Sequence, residues 1–330
     1  METPAPQGAA ANIIRPHRDG NGRFFNPWPH VQRTHPIAKL IKWLVFSKNA
    51  FRDIKRGRKA QFPALRPDLR ALDASGKDYL VWLGHSTVLF KLASKTIITD
   101  PVFWDVNFLV RRKAPLPLDP AELPRIDYVL ISHGHYDHLN TRTVKFLIKN
   151  HDPVFVTGPG YGRYLSSLGS RKNVALDWGE THGFDGVTVT ALPIQHWSKR
   201  SLFDTNTMLW CSYLIEHAGK RCYWVADGAY YGGFAGIGER YGPIDIYLAP
   251  VGAYEPRWFM KDVHMNPEEA LRSAMDVRAR VFVPIHWGTF DLSDEPLWMP
   301  VERLREVYSA VTGAPELRIL GHGGATSIGG

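Results

Sequence analysis

Cysteine is scarce in this chain of 330 residues, which contains only Cys211 and Cys222 and no C-x-x-C pair. A dense framework of disulfides is therefore excluded. Two isolated cysteines fit a reducing compartment, in which thiols stay free. We expect both thiols to be unpaired and to lie in the core.

Long hydrophobic runs are also lacking. The apolar stretches are far shorter than the ~18 residues that a membrane-spanning helix needs. The first twenty residues, METPAPQGAAANIIRPHRDG, have no basic start followed by an apolar stretch, so they do not resemble a secretory signal. The sequence predicts a cytoplasmic protein, either free or peripheral on the membrane.

Acidic residues are few at the start of the chain. The net charge is +8, but residues 1–70 contain 14 Lys and Arg against 4 Asp and Glu. The remaining residues are close to neutral. A basic segment suggests an anionic partner, either a membrane surface or nucleic acid.

The length of the chain is compatible with one large domain or two small ones. We expect residues 1–20 to be a flexible tail. Residues 21–70 form a basic N-terminal segment that packs on or extends the body, and residues 71–330 form the main domain. The sequence leaves the oligomeric state open, a homodimer included.

Within the basic segment, an apolar stripe has helical spacing and lysines beside it. The stripe consists of Ile37, Leu40, Ile41, Leu44 and Val45, and the lysines are Lys39, Lys42 and Lys48. Such a helix lies in a membrane interface or packs its apolar face on the core of its own protein. Both alternatives stay open.

From residue 78 onward, short runs rich in β-branched and aromatic residues predict strands, with helices between several of them. One helix start is well marked, because Asn266, Pro267 and Glu269 have the spacing of an N-cap, a first helical position and a capping box. The simplest arrangement is two sheets covered by helices.

Four of these predicted strands are followed by residues of the types that commonly bind metals. ISHGHYDHLN contains His133, His135, Asp137 and His138, and three later strands are followed by His196, Asp227 and His286. Sheet edges are where loops collect to form sites. Histidine with carboxylate favours zinc, manganese or iron over magnesium or calcium. One ion cannot easily take four ligands from so short a loop, whereas two ions can share them.

H-x-H-x-D-H followed by a later His, Asp and His resembles the metallo-β-lactamase superfamily. Longer motifs extend the likeness to the branch of N-acyl phosphatidylethanolamine-hydrolysing phospholipase D over about residues 21–320. These motifs are NGRFFNPWP, WLGHSTVLF, ISHGHYDHL, QHWSKR, GAYEPRWFM, NPEEA and IHWGTF.

The resemblance implies an αββα sandwich, two mixed β-sheets flanked by helices, with two zinc ions between the sheets. His133, His135 and His196 would bind one ion. Asp137, His138 and His286 would bind the other, and Asp227 would bridge them. Asp137, Asp227 and His264 are the expected catalytic residues.

Several positions are expected to have lesser or altered roles. His264, Lys199 and Arg200 are candidate contacts for an anionic substrate, and His85 is expected to support the ligands. Gly228 and Ala229 stand where the family usually has Thr and Gly, which puts the geometry of that loop in question. Gly134 replaces the usual Asn, with little expected effect. His182 and His322 receive no role.

The implied activity is that of a zinc phosphodiesterase that cleaves N-acyl phosphatidylethanolamine to phosphatidic acid and an N-acyl ethanolamine at an anionic membrane. Another hydrolase of the same fold, such as a lactonase, thioesterase or nuclease, is the first alternative. The second is a nucleic-acid-binding module with a structural metal, but the sequence contains no recognised nucleic-acid motif.

Overall fold

The computed structural model describes residues 17–28, 37–57 and 62–329. Most of the expected tail at residues 1–20 lies outside these ranges. The strands are β1 (His17–Arg18), β2 (Phe24–Phe25), β3 (Tyr79–Gly84), β4 (Thr87–Leu92), β5 (Lys95–Thr99), β6 (Tyr128–Ile131), β7 (Val154–Thr157), β8 (Asn173–Ala175), β9 (Thr181–Phe184), β10 (Val187–Leu192), β11 (Ser212–His217), β12 (Lys220–Trp224), β13 (Ile244–Pro250), β14 (Ala279–Ile285), β15 (Glu316–Leu317) and β16 (Ala325–Ser327).

The helices are α1 (Ile37–Ile41), α2 (Arg52–Gly57), α3 (Leu69–Ala74), α4 (Thr141–His151), α5 (Gly162–Ser167), α6 (Gly233–Tyr241), α7 (Arg257–Met260), α8 (Pro267–Asp276) and α9 (Met299–Ser309). The capping box predicted at the start of α8 is confirmed, because Asn266 and Glu269 each accept a backbone N–H of the other. Within the described ranges, no helix has the length and apolar character needed to cross a bilayer.

Two seven-stranded sheets form the body, in the orders β16-β3-β4-β5-β6-β7-β8 and β15-β14-β13-β12-β11-β10-β9. Each sheet is mixed. In the first, β16 to β5 are antiparallel and β5 to β8 are parallel. In the second, β9 to β12 are antiparallel and β12 to β15 are parallel. The predicted αββα architecture is confirmed.

Strand β3 shows why the strands of these sheets have continuous apolar sequences. Leu80 and Trp82 belong to the large core that also takes residues from the second sheet, whereas Tyr79, Val81 and Leu83 join the cluster packed with α4 and α5. A strand buried on both faces loses the alternation of polar and apolar residues. Cys211 and Cys222 are buried free thiols in this core, as predicted.

The basic N-terminal segment is not one continuous helix. Helix α1 passes into a π-helical turn, Lys42–Phe46, and α2 begins only at Arg52. Trp43 fastens this part of the segment to the body, because its indole N–H donates to Asp294 at 3.0 Å and its ring lies 5.0 Å from that of Phe259.

The apolar stripe of this segment faces solvent where it is described. Leu40, Ile41 and Val45 are exposed, as is the neighbouring Phe46. The side chains of Ile37 and Leu44 lie outside the described residues. The segment therefore packs on the body through Trp43 while it presents apolar side chains outward, and its binding to a membrane interface stays a prediction.

Candidate metal centre

Three histidines from two loops meet at the edge of the sandwich. His133 and His135 follow β6, and His196 lies in the loop after β10. One ring nitrogen from each lies within 4.8 Å of the other two. We call these three residues the first half-site.

A second group adjoins the first. Asp137 and His138 come from the same loop after β6, and His286 follows β14. With His85 they form a set whose donor atoms also lie within 4.8 Å of one another. Asp137, His138 and His286 are the second half-site, and His85 stands beside it.

Asp227, which follows β12, lies between the two half-sites. Its Oδ2 is 3.0 Å from Nε2 of His138 and 3.9 Å from Nε2 of His133, and its Oδ1 is 2.9 Å from Nε2 of His286. The structure thus brings together all seven side chains that the sequence proposed as ligands.

The unsatisfied atoms of the cluster fit bound metal ions. Nε2 of His133, His135, His138 and His286 and Oδ1 of Asp227 are buried and make no hydrogen bond. Groups of this kind are costly to bury without a partner. Imidazole nitrogen and carboxylate oxygen at these separations suit zinc, manganese or iron.

Charge in the cluster favours cations. Burial opposes the ionisation of Asp227, but His138, His286 and His264 outweigh it and hold the pKa of that carboxyl well below its usual range. Asp100 and Asp137 add two further carboxyls. Within the described ranges, all ion pairs of these three carboxylates are with histidines rather than with Lys or Arg.

The first half-site is arranged to stay neutral. Burial lowers the pKa of His133 and His196 well below the usual value and that of His135 to about 4. A neutral imidazole keeps the lone pair with which it binds a metal. In the second half-site, burial also opposes the charged form of His138, but Asp227, Asp137 and Asp100 outweigh it and raise the pKa.

Asp100 and Ser132 orient the ligands and were missed in the sequence. Nδ1 of His138 is 2.6 Å from the buried Asp100 carboxylate, and Nδ1 of His133 is 2.8 Å from the hydroxyl of Ser132. That hydroxyl also donates to Asp100. The available signal was IITDP, in which Asp100 follows β5 at the edge that β6 shares. Such partners fix the ring orientation of metal-binding histidines.

His85 occupies the supporting place expected of it. Its Nε2 is 3.1 Å from Oδ2 of Asp137, and its ring lies 4.0 Å from that of His286. The backbone N–H of His85 donates to Thr289, whose hydroxyl is 2.9 Å from Nε2 of His322. His322, which had no assigned role, therefore belongs to the support of this half-site.

His264 lies at the rim of the cluster. Its Nδ1 is 4.0 Å from Oδ2 of Asp227 and makes no hydrogen bond. Burial lowers the pKa of His264 to about 4. Arg257 fixes the position, because its guanidinium donates to the carbonyl of His264 at 3.0 Å and pairs with Glu269 at 2.8 Å.

Arg200 does not have the environment expected of a substrate contact. Its guanidinium donates to the carbonyls of Gly134 and Leu139 and to the hydroxyls of Thr141 and Tyr164. These bonds brace the histidine loop and occupy the donors that an anion would need. Lys199 and Arg200 both line an open groove of about 430 Å³, together with His135, Tyr136, Trp197, Ser201 and Leu202.

The two glycine departures have packing explanations. A Cβ at Gly228 would lie 2.2 Å from Cγ1 of Ile194, so Ile194 fills the space that a larger residue would need. A Cβ at Gly134 would lie 2.5 Å from the hydroxyl of Ser198, which accepts the backbone N–H of Gly134.

His182, the other histidine without an assigned role, lies in the edge strand β9.

Comparison with known proteins gives the family. Residues 95–287 match the family described as the Beta-lactamase superfamily domain. An uncharacterized protein of Mycobacterium tuberculosis is 38% identical over 320 residues, covering 92% of this chain and 84% of that protein. N-acyl-phosphatidylethanolamine-hydrolyzing phospholipase D 1 of Caenorhabditis elegans is 36% identical over 249 residues, 70% of each chain.

The fold is shared more widely than the sequence. The crystal structure of isothiocyanate hydrolase from Delia radicum gut bacteria has a TM-score of 0.63 at 18% identity and covers 76% of this chain and 98% of that chain. At this identity the match shows the fold alone.

Proposed function

Because the chain belongs to the metallo-β-lactamase superfamily, in its N-acyl phosphatidylethanolamine phospholipase D-like branch, we propose that it is a dinuclear-metal phosphodiesterase. The proposed substrate is N-acyl phosphatidylethanolamine, and the products are phosphatidic acid and an N-acyl ethanolamine. The observation that carries the proposal is the pair of donor clusters with Asp227 between them. The name of the C. elegans relative supports the substrate.

In this proposal, His133, His135 and His196 would hold one ion, Asp137, His138 and His286 would hold the other, and Asp227 would contribute to both. Two zinc ions, with manganese or iron as alternatives, would supply Lewis acidity when bound and would lower the pKa of a bound water to about 7. Contacts within the protein orient three of the seven proposed ligands, because Ser132 bonds His133, Asp100 bonds His138 and His85 bonds Asp137.

The remaining residues act on substrate and protons. Oδ2 of Asp137 lies 3.1 Å from Nε2 of His85 and 3.5 Å from Nε2 of His138, so the carboxylate faces the second half-site and would serve an ion there or hold a proton of water. His264 is neutral at pH 7 because burial lowers its pKa to about 4. As an N–H donor, its Nδ1 would bond a phosphoryl oxygen, while Lys199 in the groove would attract the anionic head group.

A substrate panel tests the proposal. Zinc-loaded protein is incubated with N-acyl phosphatidylethanolamine, a soluble aryl phosphodiester, a lactone and a thioester, and the products are identified by mass spectrometry. We expect both phosphodiesters to be cleaved, with phosphatidic acid among the products. Cleavage of only the lactone or only the thioester would overturn the proposed substrate while leaving the hydrolase fold intact.

An anionic bilayer is the proposed partner of the basic segment. The exposed Leu40, Ile41, Val45 and Phe46 stand among lysines and are held to the body through Trp43. Apolar burial together with basic residues is the combination that places a helix in a membrane interface. Nucleic acid is not proposed as a partner, because the sequence contains no recognised nucleic-acid motif.

A further inference from the structure

Two turns outside the basic segment carry the most exposed large apolar side chains among the described residues. Phe108 and Leu109 at the tip of the 105–112 turn are 79% and 77% exposed. Leu202 and Phe203 at the tip of the 200–204 turn are 75% and 83% exposed. Single exposed apolar residues need no explanation, but adjacent pairs at two tips do.

The 105–112 turn is fixed by its own hydrogen bonds. Oδ1 of Asp105 accepts the N–H of Arg112 at 2.9 Å, and Oδ1 of Asn107 accepts the N–H groups of Leu109 and Val110 at 2.8 and 2.9 Å. The apolar pair is thus held outward by a well-bonded backbone and could not fold back without breaking these bonds.

The 200–204 turn has the same design. Oδ1 of Asp204 accepts the N–H of Arg200 at 2.9 Å and that of Ser201 at 2.7 Å. Arg23 donates to the carbonyl of Phe203 at 2.9 Å. Both turns therefore present two apolar side chains on a frame in which Asp or Asn side chains accept backbone N–H groups.

Both turns connect to the metal centre through short chains of contacts. In the 200–204 turn, Arg200 braces the histidine loop through Gly134. In the 105–112 turn, Arg112 lies 5.3 Å from the ring of Phe290, which lies 5.0 Å from the ring of His85. One tip therefore stands on the side of the first half-site and the other on the side of His85.

We propose that the tips Phe108–Leu109 and Leu202–Phe203 insert into a phospholipid bilayer and seat the mouth of the metal centre on its surface. Convex tips suit a fluid bilayer, which needs no matching shape. Arg111 and Lys113 are exposed beside the first tip and Lys199 precedes the second, so basic groups flank the inserted pairs. The inference rests on the proposed function, since a lipid substrate must reach the site from a bilayer.

Vesicle binding tests it without turnover. The full-length, zinc-loaded chain is sedimented with vesicles of phosphatidylcholine and phosphatidylglycerol. The test variant combines F108S, L109S, L202S and F203S, and matched controls are M275S and V311S, which change exposed apolar residues on or beside α8 and α9. We expect the partition coefficient to fall at least tenfold in the test variant and to stay unchanged in the controls, with equal thermal melts.

A fluorescent label gives an independent reading on a folded single variant. Both native thiols are buried, so a cysteine introduced by Phe203→Cys can be labelled selectively with a polarity-sensitive dye. The dye should brighten and shift to shorter wavelength with vesicles, whereas a dye introduced through Met275→Cys should not respond.

The proposal is overturned if the wild-type chain does not bind vesicles, or if the test variant binds as well as the wild type. It is also overturned if the controls lose binding equally, if the dye at position 203 is unresponsive, or if the tips instead mediate self-association in light scattering. A chain that binds through its tips but cleaves no phosphodiester would overturn the proposed function and leave this inference standing.

Discussion

The two half-sites hold similar donors but are supported differently. Behind the second half-site stand charged or ionisable groups, namely the Asp100 carboxylate on His138 and the His85 ring on Asp137. The groups in direct contact with the first half-site are neutral, although the Ser132 hydroxyl there also donates to Asp100. The Ser132 hydroxyl bonds His133, and the carbonyl of Val263 lies 3.0 Å from Nδ1 of His196.

This difference has a consequence for metal affinity. A carboxylate behind an imidazole raises its basicity as a ligand, and a carbonyl or hydroxyl does so less. We therefore expect the second half-site to hold its ion more tightly. The first half-site depends more on a hydrogen bond to the backbone of a ligand. Asn26 of the N-terminal segment donates to the carbonyl of His196 at 2.8 Å.

The largest effect should come from the residue that both half-sites share. Asp227→Asn removes the negative charge between them, so we expect activity to fall about 1,000-fold or more, since metal-assisted stabilisation of the transition state is worth several kcal/mol. Elemental analysis should find close to two ions per wild-type chain and fewer in the variant. Asp53→Asn, at an exposed position of α2, is the matched control.

Circular dichroism should show that the Asp227→Asn chain stays folded. Near-normal turnover in that folded variant would remove Asp227 from its proposed place. A wild-type content that remains at one ion or none after reconstitution would remove the dinuclear arrangement altogether.

Asp100→Asn should separate the two half-sites. The amide keeps the shape of the side chain but loses the charge behind His138, so the second half-site should bind its ion about 10–100-fold more weakly. The first should change less, because Asp100 reaches His133 only through the Ser132 hydroxyl. Competition with a chromogenic chelator resolves the two binding steps, and equal weakening of both steps would show that the supports do not differ as described.

The sequence was sufficient to propose the metal ligands, but it did not predict the side chains that orient them. His133, His135, Asp137 and His138 are close in sequence and follow an apolar strand, so their pattern is local. Asp100 reaches His138 only because β5 and β6 are neighbours in the sheet. That contact depends on strand order, which single-sequence reasoning does not determine.

Arg200 and the basic segment show a second reason why the structure differs from what the sequence predicted. A charged residue beside a site in sequence predicts a surface contact, yet Arg200 turns back onto the histidine loop. Likewise, the helical spacing from Ile37 predicted one helix, but the chain changes to a π-helical turn where Trp43 docks. In both cases a tertiary contact decides the local structure.

Asn26→Ala should affect the first half-site through the loss of hydrogen bonds that hold the backbone of His196. The side chain links the His196 carbonyl to the indole N–H of Trp210, which it accepts at 3.0 Å. Leaving these buried groups unpaired costs about 1–3 kcal/mol each. We expect a lower melting temperature and weaker binding of the first half-site's ion, with the second half-site little changed.

Asn26→Asp sharpens this test. The carboxylate still accepts from Trp210 but can no longer donate to the carbonyl of His196. Ion binding at the first half-site should therefore be at least as weak as in Asn26→Ala, because the carboxylate repels that carbonyl, and the exposed Asn21→Ala should be neutral. Normal ion binding in Asn26→Asp would mean that the link to His196 does not support the metal.

The smallest effect concerns the cations that follow His196 in the first half-site's loop. Lys199 lines the open groove, whereas Arg200 donates four hydrogen bonds to the protein. Lys199→Ala should raise KM for an anionic phosphodiester about threefold to tenfold, since a cation near a binding surface contributes about 1 kcal/mol. Its melting temperature should not change.

Arg200→Ala should instead lower the melting temperature, because a net ~1 kcal/mol is lost for each hydrogen bond. Steady-state kinetics and melts of both variants side by side separate attraction of substrate from support of the loop. If Lys199→Ala leaves KM unchanged at low salt, the groove is not where the anionic head group enters.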